Sequence, residues 1–112
     1  CSACHQLNGQ GMEGVAPPLA GTKWPDEPEE RLARIVLHGL RGPITVAEKE
    51  YNLEMPAMGF FDDHDVAAIL TYVRTTWGKP SAPVTPEMIG RIRTRTRNRS
   101  DSWTIGELLD VP

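Results

Sequence analysis

Apolar residues recur at helical spacing in several stretches of this chain. Leu32, Ile35, Val36 and Leu40 predict a helix that Gly39 and Gly42-Pro43 stop. Asp26 with Glu29 reads as a variant capping box for it, and Pro28 suits its first turn. The clearest pattern is Val66, Ala67, Ile69, Leu70, Val73 and Trp77, one face of a helix over 62–77. Asp62 can cap that helix, and Gly78 and Pro80 close it. Thr85-Pro86-Glu87 opens another, with Met88, Ile89 and Ile92 as its stripe. Thr104 and Glu107 form a capping box ahead of Ile105, Leu108 and Leu109. Residues 1–10 predict a short helix ended by Gly9 and Gly11. Residues 14–21 are a Pro/Gly loop, and Pro80-Ser81-Ala82-Pro83 is a linker. Ile44-Thr45-Val46 is extended but too short for a sheet of its own, and no internal repeat is visible.

A length of 112 residues bounds this as one domain with a single core. Aromatic residues are only 6%, modest for a core that stands alone. The net charge of −3 argues against nucleic-acid binding. No apolar run approaches the length needed to span a bilayer. Arg91, Arg93, Arg95, Arg97 and Arg99 crowd one segment that reads either as a solvated basic face or as a docking patch for an acidic partner or phospholipid surface.

The first five residues, Cys1-Ser2-Ala3-Cys4-His5, carry the chemistry. Cys-x-x-Cys-His is the c-type haem attachment signature. Two thiols three positions apart fall on one side of a helical turn, where each can form a thioether with a haem vinyl group. His5 then reaches the iron as a neutral imidazole. A dithiol redox motif would sit near a βαβ pattern, and a zinc site would need a second ligand pair. Neither is present, since Cys1 and Cys4 are the only cysteines and His38 and His64 stand alone. A haem would also supply a large apolar plate for a small core. Gly14 to Gly21 includes Pro17-Pro18, about twelve residues after His5. Such a loop is either a rigid connector or a support whose Pro17 carbonyl accepts from His5 Nδ1–H, fixing its tautomer. Met55 precedes Pro56 in an irregular loop. The proline holds Met55 extended and aims its side chain, and a thioether is a soft iron ligand that raises haem potential. Met58 in the same loop reads as a rim or packing residue.

These motifs together resemble a class I, His/Met-ligated cytochrome c domain, and more closely the cytochrome c domains and subunits of bacterial dehydrogenases. The resemblance rests on Cys1–His5, Ala16-Pro17-Pro18-Leu19-Ala20-Gly21-Thr22, Ile35-Val36-Leu37-His38-Gly39-Leu40, Gly42-Pro43-Ile44-Thr45-Val46, Tyr51-Asn52, Met55-Pro56-Ala57-Met58-Gly59 and Leu70-Thr71-Tyr72-Val73-Arg74. It implies an all-α fold, a small cytochrome c fold with helices around one covalent haem c. It implies His5 and Met55 as iron ligands and places Tyr51 among the cofactor-binding residues with Cys1, Cys4 and Pro17. Residues 1–80 form the expected cytochrome c domain. Residues 81–112 form a linker and a helical tail expected to pack back on the core. The family also carries a helix before its haem motif that crosses the helix expected here at 62–77. A chain starting on Cys1 reads as a fragment or a trimmed chain, with the missing helix cut away or its face covered by the tail.

The implied function is transfer of single electrons between a dehydrogenase donor and an oxidase or cytochrome acceptor, in the periplasm or otherwise outside the cytoplasm. The module makes and breaks no substrate bonds, so it is a carrier rather than an enzyme. Electrons would pass at an edge bordered by Gln6, Met58, Gly59 and Phe60. The alternative is a haem enzyme or gas sensor, which needs a displaceable distal ligand.

Overall fold

A computed structural model describes residues 1–111. Five helices follow in order: α1 (Ser2–His5), α2 (Glu29–His38), α3 (Asp63–Trp77), α4 (Pro86–Arg95) and α5 (Ile105–Leu109). A short 3-10 turn, Trp24–Asp26, precedes α2.

The all-α expectation needs one correction. Strands β1 (Ile44–Val46) and β2 (Lys49–Tyr51) form an antiparallel hairpin with Ile44 opposite Tyr51. Its two turn residues, Ala47 and Glu48, both have positive φ, at 51° and 68°. That is the backbone of the tight turn that suits strand twist, but Ala-Glu carries none of the Asn-Gly or Gly-Gly signal that usually announces it. The fold is therefore mainly helical with a small hairpin.

Helices α2, α3 and α4 pack against one another pairwise. The main core joins Leu32, Ala33, Val36 and Leu37 of α2 to Val66, Ala67 and Leu70 of α3. Val84, Met88, Ile89 and Ile92 close it from the tail side. Ile89 and Ile92 are almost wholly buried. Such a side chain contributes about 1.5–3 kcal/mol relative to an exposed one, before its entropy is counted. A second cluster holds Ile35, Trp103 and Leu108, with Trp24, Leu40 and Met55 against it.

The caps explain most helix starts. Asp62 accepts from the Asp65 amide at 2.8 Å, Thr85 from Met88, and Thr104 and Glu107 make a reciprocal capping box. The box expected from Asp26 and Glu29 does not form. Helix α2 starts after Pro28 with no side-chain cap, and Asp26 instead accepts from the Lys79 amide at 2.6 Å. That bond, with Arg74 donating to the Glu27 carbonyl at 2.9 Å, fastens the end of α3 to the entry of α2.

The first helix is also shorter than its sequence suggests. It ends at His5 because Gln6 turns into the left-handed region, φ 66°, well before Gly9 and Gly11. The arginine-rich segment divides. Arg93 pairs with Asp63 at 2.6 Å, and Arg99 makes two bonds to Glu107 while covering the Trp103 ring at 3.6 Å. Arg91, Arg95 and Arg97 are exposed. Among the described residues, no helix is long and apolar enough to cross a membrane.

Candidate functional site

A cleft runs between α1, the 14–20 loop, the inner faces of α2 and α3, and the loop that carries Met55. It has two lobes, with about 700 and 930 Å³ of space between protein atoms, part of it open to solvent. Cys1, His5, Pro17, Leu40, Ile44 and Met55 line both. The first lobe adds hydrocarbon from Leu32, Ile35 and Val36 of α2 and from Ile69, Leu70 and Val73 of α3. The second adds Cys4, Ala16, Tyr51 and Met58. All six residues singled out from the sequence, Cys1, Cys4, His5, Pro17, Tyr51 and Met55, thus meet at one cleft.

The geometry around His5 follows from the turn at Gln6. The chain reverses, and the amides of Leu19 and Ala20 donate to the Gly9 carbonyl at 2.7 and 2.9 Å. Met12 and Ala16 exchange a pair of backbone bonds, which closes the loop between them. The return run brings Pro17 back to the imidazole, and His5 Nδ1–H donates to the Pro17 carbonyl at 2.8 Å. With Nδ1 committed as a donor, Nε2 carries the lone pair. Burial pushes the His5 imidazole below its ordinary pKa of 6.5, against a smaller opposing effect of the Pro17 bond, so the ring is neutral at pH 7. A neutral ring with one nitrogen anchored and the other free is the form that binds a metal.

Met55 is placed by backbone pairing rather than by a helix. Its amide donates to the Leu40 carbonyl at 2.8 Å, and the Leu40 amide donates back to Met55 at 3.1 Å. Gly39 makes that approach possible. It sits at φ 84°, and a methyl group there would overlap the Met55 carbonyl. Met58 donates its amide to the Val36 carbonyl at 2.8 Å and packs against the main core, lining only the second lobe.

Other candidates fall away from the cleft. His64 is exposed in the first turn of α3. His38 stands edge-on to Trp103, and burial with the charges of Arg99 and Arg93 lowers its pKa. Of the four residues expected at the rim, Met58 lines the cleft, while Phe60 is 76% exposed and leans on Phe61. Gln6 lines an adjoining groove that shares Cys1, His5, Leu19, Ile69 and Val73 with the cleft. Sequence reasoning did not single out the α2 and α3 wall residues as a site. Their signal was present in the one-turn spacing of Ile69 and Val73, offset from the core pair Val66 and Leu70.

The chemistry of these residues fits a haem. The walls are largely hydrocarbon, and two exposed free thiols, an imidazole and a thioether line the same space. Comparison with known proteins agrees. The Cytochrome c family model matches residues 1–77. The chain belongs to the cytochrome c family. It is 36% identical over 104 residues to cytochrome c-552 of Thermus thermophilus, covering 85% of this chain and 79% of that protein. The cytochrome c-552 of Thermus thermophilus strain ATCC 27634 / DSM 579 matches with the same identity, over 70% of its length. A cytochrome c of this class I type binds covalently attached haem c, for which Cys1 and Cys4 supply the two cysteines of the motif. It is an electron-transfer cytochrome.

Proposed function

We propose that this cytochrome carries single electrons through one haem held by thioethers to Cys1 and Cys4, with His5 and Met55 as its axial ligands. The observation that carries the reading is that His5 and Met55 line the same two lobes of one apolar cleft. When bound, haem supplies a one-electron iron couple. The protein's part is to fix both ligands and exclude water. Pro17 orients His5, Tyr51 and Ile44 wall the second lobe, and hydrocarbon from α2 and α3 closes the first. A dry wall and a thioether ligand both raise the potential. No side chain here is asked to make or break a substrate bond, so the module is a carrier, serving a dehydrogenase donor and an oxidase or cytochrome acceptor outside the cytoplasm. Residues 1–80 form its cytochrome unit, and residues 81–112 are a linker and tail that complete it.

Of the two methionines in the loop, Met55 is the proposed ligand, and Met58 fills the core edge. In the oxidised protein, Met55→Ala should abolish the near-infrared sulfur-to-iron charge-transfer band and lower the potential. Met58→Ala should keep the band. The reverse result would move the ligand to Met58, and a high-spin spectrum of the unsubstituted protein would favour an enzyme or sensor with an open distal site.

A further inference from the structure

The Met55 loop has no secondary structure to hold it, yet it is tied at both ends to a distant part of the chain. At its start, three short segments lie side by side: 54–55, 39–41 and 102–103. Leu40 is bridged antiparallel to Met55 and parallel to Trp103. The Arg41 amide donates to the Trp103 carbonyl at 2.8 Å, and the Trp103 amide donates to the Gly39 carbonyl at 2.9 Å. Ser102, which is buried, spans the middle segment and donates its hydroxyl to Glu54 at 2.6 Å. Arg41 adds a guanidinium bond to the Ser102 carbonyl. At the far end of the loop, Arg93 of α4 donates to the Gly59 carbonyl at 2.9 Å and to the Phe61 carbonyl, while its Nε pairs with Asp63.

We propose that the carboxy-terminal tail is the positioning element of the Met55 loop, with Arg93 and Ser102 as its two points of hold. This rests on the reading of Met55 as the sixth ligand. The chemistry favours a role beyond general stability. Both contacts use an ionised partner, Glu54 or Arg93, and such bonds are the stronger kind. Ser102 ends on the loop itself, and Arg93 spans from the loop carbonyls of Gly59 and Phe61 to Asp63 at the start of α3. They therefore oppose the one motion that would withdraw Met55, a swing of residues 54–61 away from the cleft, while the main core stays packed.

The test is competition for the sixth position in the ferric holoprotein, using imidazole as the probe. An external ligand binds only when the loop has opened, so its apparent affinity reports the open fraction. Loss of the single Ser102 hydroxyl bond in Ser102→Ala should raise that affinity by at least about threefold, and loss of the three Arg93 guanidinium bonds in Arg93→Gln by about tenfold or more. Ile89→Val, a core change in the same tail, should lower the melting temperature and leave imidazole affinity unchanged. Affinity that stays constant in Ser102→Ala and Arg93→Gln, with the charge-transfer band intact, would overturn the proposal. So would an equal rise in all three variants, which would mean general loosening. If Arg93→Gln does not fold, Ser102→Ala removes a single oxygen and carries the test. Met55→Ala separates the two readings. A band that survives that substitution removes the Met55 assignment itself, whereas a band lost there and insensitive to the tail removes only the positioning role.

Discussion

The two sides of the cleft are built by different means. His5 is held by its own neighbourhood: its support is the carbonyl of Pro17, twelve residues on, delivered by a loop that bonds mainly to itself. Met55 is held from afar. Its loop leans on residues 36–40, and through them on a tail that approaches from 48 residues away at Ser102. The same contrast shows in the packing. Cys1 and Cys4 are exposed and α1 has no fully buried residue, its His5 being half-buried, whereas Met55 lies against a cluster that includes Trp103 and Leu108. A side fixed by local bonds and covalent attachment needs little core. A side fixed by a non-covalent loop needs the rest of the molecule.

The sharpest way to break this contrast is to remove the covalent tether. In the variant with Cys1→Ser and Cys4→Ser, acidified solvent should extract any haem that remains, while the untouched protein should retain it. Haem that resists extraction from the variant would show that the thiols do not carry the attachment.

A smaller effect is expected on the other side. Gly39→Ala places a methyl group against the Met55 carbonyl at a φ that disfavours side chains. Strain of this kind costs about 1–3 kcal/mol. The melting temperature should fall and the charge-transfer band should weaken, while the His5–Pro17 geometry, read by the proximal imidazole resonances, stays as it was. Equal disturbance on both sides would mean the two are mechanically one unit.

The smallest effect concerns acid. Arg99 and the Thr104 backbone hold Glu107 at a pKa of about 2, against an ordinary value of 4.5. A depressed carboxylate stabilises the fold fully above its unfolded value, and that contribution is lost as pH falls from about 4.5 towards 2. Glu107→Gln should flatten this part of the stability–pH curve and loosen the tail side first. A curve of unchanged slope would show that the capping pair does not contribute.

Much of the His5 side was legible in the sequence because its parts are close together. Cys1, Cys4 and His5 are consecutive signals, and Pro17 falls within one loop of them. Helix α3 was equally plain, since Asp62, the apolar face and Gly78 agree. The Met55 side was legible only as a residue type. Its supports are single-residue bridges, which leave no alternating pattern for the eye to follow. Arg93 and Arg99 looked like surface charge because their partners, the carbonyls of Gly59 and Phe61 and the Trp103 ring, have no sequence signature. The hairpin was hidden for a related reason, as Ala47 and Glu48 adopt a conformation that their side chains do not advertise.

The three-segment ladder through Leu40 also sets a timetable. Contacts between residues near in sequence close quickly, and those between distant residues wait on slower loop closure. The turn that brings Pro17 to His5 spans 12 residues, while the tail's ties to the Met55 loop span 32 to 48. Those ties also use residues that leave the ribosome after the Met55 loop itself. One half of the cleft can therefore be finished while the other is still unmade. Refolding followed at the charge-transfer band should lag refolding followed by helix content, and the gap between the two clocks measures how long this chain stays half-built.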